Sequence, residues 1–207
     1  MHTKKTVALL VSAFLLASTS HSMAQGRSDE RGAQGRMNPA QVEQMTQGWP
    51  ESSRKAIEFM TDTYGPPAAV TADSAIWGET GPWKRTVVYR NEVQHDFPMP
   101  HPDVLQQWVD FEAPLDKYDE LAQFDGSVVV ERTTGEASAR CDKEAANFLA
   151  LNLAHDVAMD GRSVEEARME YGRQIKAMKA NQPAPLTERL TFDMNNTKDP
   201  GEALPGM

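Results

Sequence analysis

The chain has 207 residues, with 21 Lys plus Arg, 30 Asp plus Glu and a formal charge of −9; 40% of residues are hydrophobic and 25% charged. This is the composition of one ordinary globular domain, and it excludes a polytopic membrane protein and a basic nucleic-acid binder. A single cysteine, Cys141, excludes an intrachain disulfide and a metal site built on several thiolates.

Residues 1–24 read as an export signal. Lys4 and Lys5 form the positive head, Thr6 to Ala17 the apolar stretch, and Ser22 and Ala24 the small residues of a cleavage site before Gln25. The apolar stretch is shorter than the ~20 residues a bilayer core needs. The expectation is a protein released into the periplasm or the extracellular space, with no stable membrane insertion. Cleavage removes two lysines and no acid, taking the formal charge from −9 to −11. Nucleic acid is then an unfavourable partner, and a protein, peptide or small molecule is left.

Residues 25–36, rich in Gly and charge, read as a flexible leader. Residues 37–180 follow as one domain. Asn38-Pro39 opens a short helix to about Thr46, and a second runs from about Pro50 to Tyr64, stopped by Gly65-Pro66-Pro67. Strands are expected at Ser74–Trp77 and Lys84–Arg90. His95 to Pro102 reads as a stiff extended connection, because its prolines fix their own φ and restrict the residues before them. A helix is expected from Pro102, carrying Val104, Leu105, Trp108 and Val109, then a short helix with Leu121 and Phe124 behind Asp116.

Ser127–Arg132 and Glu136–Arg140 read as a hairpin turning at Thr133-Thr134-Gly135. A helix apolar on most faces, hence central, spans Asp142 to Met159. Ser163 with Glu166 makes a capping box for a helix whose stripe is Val164, Ala167, Tyr171, Ile175 and Met178. Residues 181–207 lose periodicity and gain proline, and read as an extended or loosely packed tail. The predicted class is α+β: a small antiparallel sheet from two hairpins, packed against several helices.

Four groups of residues carry chemistry. His95 and His101 flank the proline-stiffened connection, with Met99, Asp96 and Asp103 beside them. A preformed pair of imidazoles loses little entropy on capturing an ion. With the Met99 thioether the set suits copper, and with a carboxylate it suits zinc or iron. Packing at a loop junction explains the same histidines without an ion. Cys141 stands just before the central helix, between Arg140 and Asp142, and is either an inert core thiol or a nucleophile. His155 cannot serve it, lying about 21 Å away along a helix at 1.5 Å per residue. A partner from His95 or His101 stays open.

Glu131 and Glu136 on the hairpin offer paired carboxylates, or simple cross-strand charge pairing. Trp77 and Trp83 bracket the turn Gly78-Glu79-Thr80-Gly81 and suit either a ligand platform or the core. No nucleophile elbow, His-Glu-x-x-His, P-loop or dinucleotide fingerprint is present. Three readings follow. The first is an exported binding or accessory protein with no catalytic set; the second is a small metal-binding protein using His95 and His101; the third is a hydrolase using Cys141 or paired carboxylates.

Overall fold

A four-stranded antiparallel meander and a two-stranded hairpin join through one interior strand into a single sheet, and the turn at one end of that strand carries the residues of interest. The computed structural model describes residues 35–195 and 198–206, so the export signal and most of the leader lie outside it. The elements in chain order are α1 (Pro39–Thr46), α2 (Glu51–Tyr64), β1 (Ala69–Val70), β2 (Ser74–Trp77), β3 (Arg85–His95), β4 (His101–Asp110), α3 (Tyr118–Phe124), β5 (Val129–Glu131), β6 (Glu136–Cys141), α4 (Glu144–Ala158) and α5 (Val164–Lys179). The fold class is α+β. The six strands form one antiparallel sheet in the order β1-β2-β3-β4-β6-β5. Among the described residues no helix is long and apolar enough to cross a membrane.

Local signals explain most of these elements. The Asn38 side chain accepts from the Ala40 N–H and caps α1, with Pro39 in its first turn. Gly65, at φ 86°, ends α2, and Gly135, at φ 64°, closes the β5–β6 turn. Ser163 and Glu166 form the reciprocal capping box at the start of α5.

The helix expected from Pro102 is instead strand β4, paired with β3 on one side and β6 on the other. Val104-Leu105 and Trp108-Val109 give apolar pairs at helical spacing, yet β4 is an interior strand. Its alternate residues Asp103, Leu105, Gln107 and Val109 are buried, while Gln106, Trp108 and Asp110 are half-buried. Alternation along the strand sends His101, Asp103, Leu105, Gln107 and Val109 to one face. Helices α2 and α4 both pack against β4.

Two groups of core side chains meet beside that strand. Val42, Trp49, Ile57, Met60, Trp77 and Val88 form one. Trp83, Phe124, Phe148, Leu149, Leu153 and Tyr171 belong to the other. The polar side chain of Glu144, at the head of α4, joins them. Its Oε1 accepts from the Trp83 indole N–H at 2.6 Å, the Gln107 amide at 3.0 Å and the Tyr64 hydroxyl at 3.0 Å. Burial first, and the Glu144 charge second, push the Tyr64 phenol up to about 12. Asn147, one turn further along α4, donates to the Leu105 carbonyl and the Gln107 side chain, so Gln107 is held from both sides.

Among the described residues beyond α5 there is no further α-helix or strand, only a 3-10 turn at Pro185–Thr187. Asn152 of α4, 1% exposed, clasps this segment: its amide donates to the carbonyls of Leu186 and Arg189, and its oxygen accepts from the Thr191 N–H and hydroxyl. Asn152→Ala orphans these groups and is expected to cost about 2–4 kcal/mol. A lowered urea midpoint with new proteolytic cuts between residues 184 and 195 is the expected result, and an unchanged midpoint contradicts it.

Phe192 anchors the same segment by stacking on His155, with ring centroids 4.4 Å apart and planes 6° from parallel. Burial holds His155 below its ordinary value, with the Asp156 charge opposing. An unfolded histidine titrates near pH 6.5, so as pH falls the unfolded chain takes up this proton first. The contribution of His155 is complete above about pH 6.5 and is lost as pH falls through the native value. The stability of the natural protein relative to His155→Phe is expected to drop between pH 7.5 and pH 5 in urea titrations. A difference that stays flat over that range excludes His155 as the group responsible.

Candidate functional site

The β3–β4 turn builds the site. His95, the last residue of β3, pairs in register with His101, the first of β4, so both rings are offered at the tip of the hairpin, 5.0 Å apart between centroids. The intervening Asp96–Pro100 loop is pinned by Phe97, which packs on Tyr171 with centroids 5.0 Å apart, while the Arg168 guanidinium covers its ring at 3.8 Å. Asp103 follows two residues after His101 and, by strand alternation, points to the same side. It is 3% exposed.

One ligand atom from each of His95, His101 and Asp103 lies within 4.8 Å of the others. His95 Nδ1 is 3.3 Å from Asp103 Oδ2, and His101 Nε2 is 3.2 Å from Asp103 Oδ1. Those contacts are close without being aligned: His95 Nδ1 and Asp103 Oδ1 are buried and make no hydrogen bond. The far nitrogen of His101 has an outer acceptor, and that of His95 has a carboxylate near it. His101 Nδ1 donates to the Met99 carbonyl at 2.8 Å, and His95 Nε2 faces Asp125 Oδ1 at 3.7 Å. Asp125 is 2% exposed and is itself fixed by the Ser127 N–H and hydroxyl, each at 2.8 Å. With His101 Nδ1 on the Met99 carbonyl and His95 Nε2 facing Asp125 beyond hydrogen-bond distance, His101 Nε2 and His95 Nδ1 are turned inward toward one carboxylate. Outer-shell acceptors orient metal-binding histidines in this way.

Cys141 ends β6, whose register sets it opposite Leu105. Its Sγ lies 3.3 Å from His101 Nε2 and 3.5 Å from Asp142 Oδ1. Burial pushes the thiol up, with His101 pulling the other way. Burial also works against charge on His101, but Asp103 and Cys141 outweigh it and hold the imidazolium up to about 11. Tyr171 closes this side, 2% exposed, its phenol pushed well up by burial and by the neighbouring Cys141, Asp125 and Asp103.

The other sequence candidates go elsewhere. Met99 contributes its carbonyl, while its sulfur meets the Lys179 ammonium at 2.6 Å, so the thioether that suited copper belongs to another contact. Trp77 and Trp83 are 2% and 1% exposed, and their N–H groups donate to the Gly65 carbonyl and to Glu144. A surface platform is thereby ruled out: both indoles are core. Glu131 sits exposed on the edge strand, opposite Glu136. Glu136 is bound to Lys84 and Arg85 at 2.8 and 2.7 Å, an ion-pair cluster that holds its carboxyl below the ordinary range despite burial. The paired-carboxylate arrangement expected for acid–base work is thus taken up by cations on one side and solvent on the other.

Sequence reasoning missed Asp125. It comes from the end of α3, and only the packing of α3 beside the hairpin tip brings it to His95. The nearby Asp125-Gly126-Ser127 turn was its one local signal. No family model, curated protein or solved structure matches this chain.

Proposed function

We propose that this is an exported metal-binding protein whose ion is held by His101 Nε2, His95 Nδ1 and Asp103. The observation that carries the reading is the orientation of the two rings. Each turns its inner nitrogen against a buried carboxylate that it does not hydrogen-bond, with the outer nitrogen of His101 on the Met99 carbonyl and that of His95 facing Asp125 at 3.7 Å. A hydrogen-bonded structural cluster would align these atoms on one another; a common third point between them explains why they do not. Two imidazoles and one carboxylate suit zinc or iron(II). The pattern of residues 1–24 supports export, and the ion then is the ligand of a binding protein. A cysteine nucleophile is less well supported, since the Cys141 thiol is 4% exposed and raised by burial, whereas such chemistry needs an accessible thiolate.

The test is elemental analysis of protein purified through its own export route without chelators. About one zinc or iron per chain is expected in the natural protein, and almost none in His95→Ala or Asp103→Ala, with far-ultraviolet circular dichroism checking that both remain folded. A natural protein that carries no metal and takes up neither zinc nor iron(II) when offered them overturns the reading.

A further inference from the structure

We propose that Cys141 is the fourth ligand of this ion, making a closed zinc site of two imidazoles, one carboxylate and one thiolate. The inference rests on the metal reading above and deepens it. Cys141 Sγ and Asp103 Oδ1 approach the same nitrogen, His101 Nε2, at 3.3 and 3.2 Å. That nitrogen can direct one hydrogen or one lone pair, so two close neighbours leave one of them unserved in the metal-free arrangement. Ligands at 2.0–2.3 Å from a tetrahedral zinc are separated from each other by roughly 3.3–3.8 Å, and both separations lie near the lower edge of that range. Asp103 Oδ1, unpartnered and buried, stands on the inner side.

Sγ meets the cluster from the His101 side, and ligation asks it to move toward Asp103. Cys141 and His101 also border an open pocket of about 230 Å³, walled further by Ala146, Tyr171 and Ile175, which gives an ion a path to them from solvent. On binding, the Zn–S bond forms as the thiol proton leaves to solvent, and the Zn–N bond to His101 forms as its Nε2 proton leaves likewise. A thiolate in the set favours zinc over magnesium, manganese or calcium. Closure also assigns the ion a holding role, because an all-protein set of four leaves no position for a substrate. The ion would tie the tip of the β3–β4 hairpin to the junction of β6 and α4, a cross-link that one cysteine cannot make as a disulfide.

The experiment is cobalt(II) substitution of the full mature protein, followed by absorption spectroscopy and metal analysis. The natural protein is expected to bind one cobalt and show both the visible bands of a tetrahedral site and a thiolate-to-cobalt charge-transfer band in the near ultraviolet. Cys141→Ser and Cys141→Ala are expected to lose the charge-transfer band. Their zinc affinity should fall by more than the roughly 10–100-fold that loss of an outer-shell partner costs. Cobalt bound without a charge-transfer band in the natural protein overturns Cys141 as a ligand while leaving the His95–His101–Asp103 ion in place. No cobalt bound at all overturns the metal reading and this inference with it.

Discussion

Protein saturated with zinc at about a thousandfold excess over Kd is expected to melt roughly 8–16 °C above the metal-free protein. Binding to the native state alone then adds about 4 kcal/mol, and in a domain of this size 1 kcal/mol moves Tm by roughly 2–4 °C. The gain should vanish in Asp103→Asn, which keeps the shape of the side chain and removes the anionic ligand. The readout is the difference between metal-loaded and metal-free scans of each protein. Changes in the metal-free stability of the variant, where two imidazoles lose their shared carboxylate, cancel in that difference. A gain of equal size in Asp103→Asn would place the stabilising ion elsewhere on the chain.

The second large effect lies at Glu144 and needs no ion. One carboxylate oxygen accepts from Trp83, Gln107 and Tyr64, and these donors come from a turn, from β4 and from α2. Glu144→Ala takes the acceptor from Trp83 and Tyr64 and leaves the Gln107 amide only its longer contacts to Thr86 and Met60, each loss costing about 1–3 kcal/mol. Because neighbouring losses relax together, a total of about 3–6 kcal/mol is expected. Glu144→Gln keeps an acceptor oxygen and should cost about 1–2 kcal/mol. Urea unfolding of the three proteins orders them as natural, Gln, Ala. A Glu144→Ala loss under about 1 kcal/mol would mean that water replaces the carboxylate, and that the two core groups are not joined through it.

Much of the architecture was legible because its signals are local. The capping box at Ser163, the Gly135 turn and the all-round apolar α4 each depend on residues within one or two turns of one another. Strand β4 was misread for a physical reason. An interior strand buries adjacent as well as alternate residues, so Val104-Leu105 and Trp108-Val109 mimic the spacing of a helix, and Pro102 fits a first helical turn as well as a strand start. His95 and His101 were found through the prolines between them, although strand register across the turn is what brings their rings together. Asp103 was in view as a neighbour in sequence. Asp125 was not, since its place beside His95 depends on how α3 packs, a long-range fact with no periodic trace. The fate of Trp77 and Trp83 was undecidable from sequence for the same reason: an indole beside a turn has one pattern whether it faces water or the core.

The hairpin that carries the site keeps two registers. Near the core Val88 pairs with Leu105, and at the tip His95 pairs with His101; between them the ladder shifts, with Val93 opposite Asp103. Five residue steps on β3 therefore match two on β4, and the surplus is taken up in an exposed stretch around Arg90 to Glu92. This slack separates two design problems. The tip register is fixed by the length of the Asp96–Pro100 loop, and the core register by the packing of Val88 and Leu105. Loop grafts that change the spacing or identity of the tip residues can thus be absorbed in the surplus, leaving the interior ladder undisturbed. The hairpin is a modular mount, on which different tip residues can be installed without rebuilding the sheet beneath it.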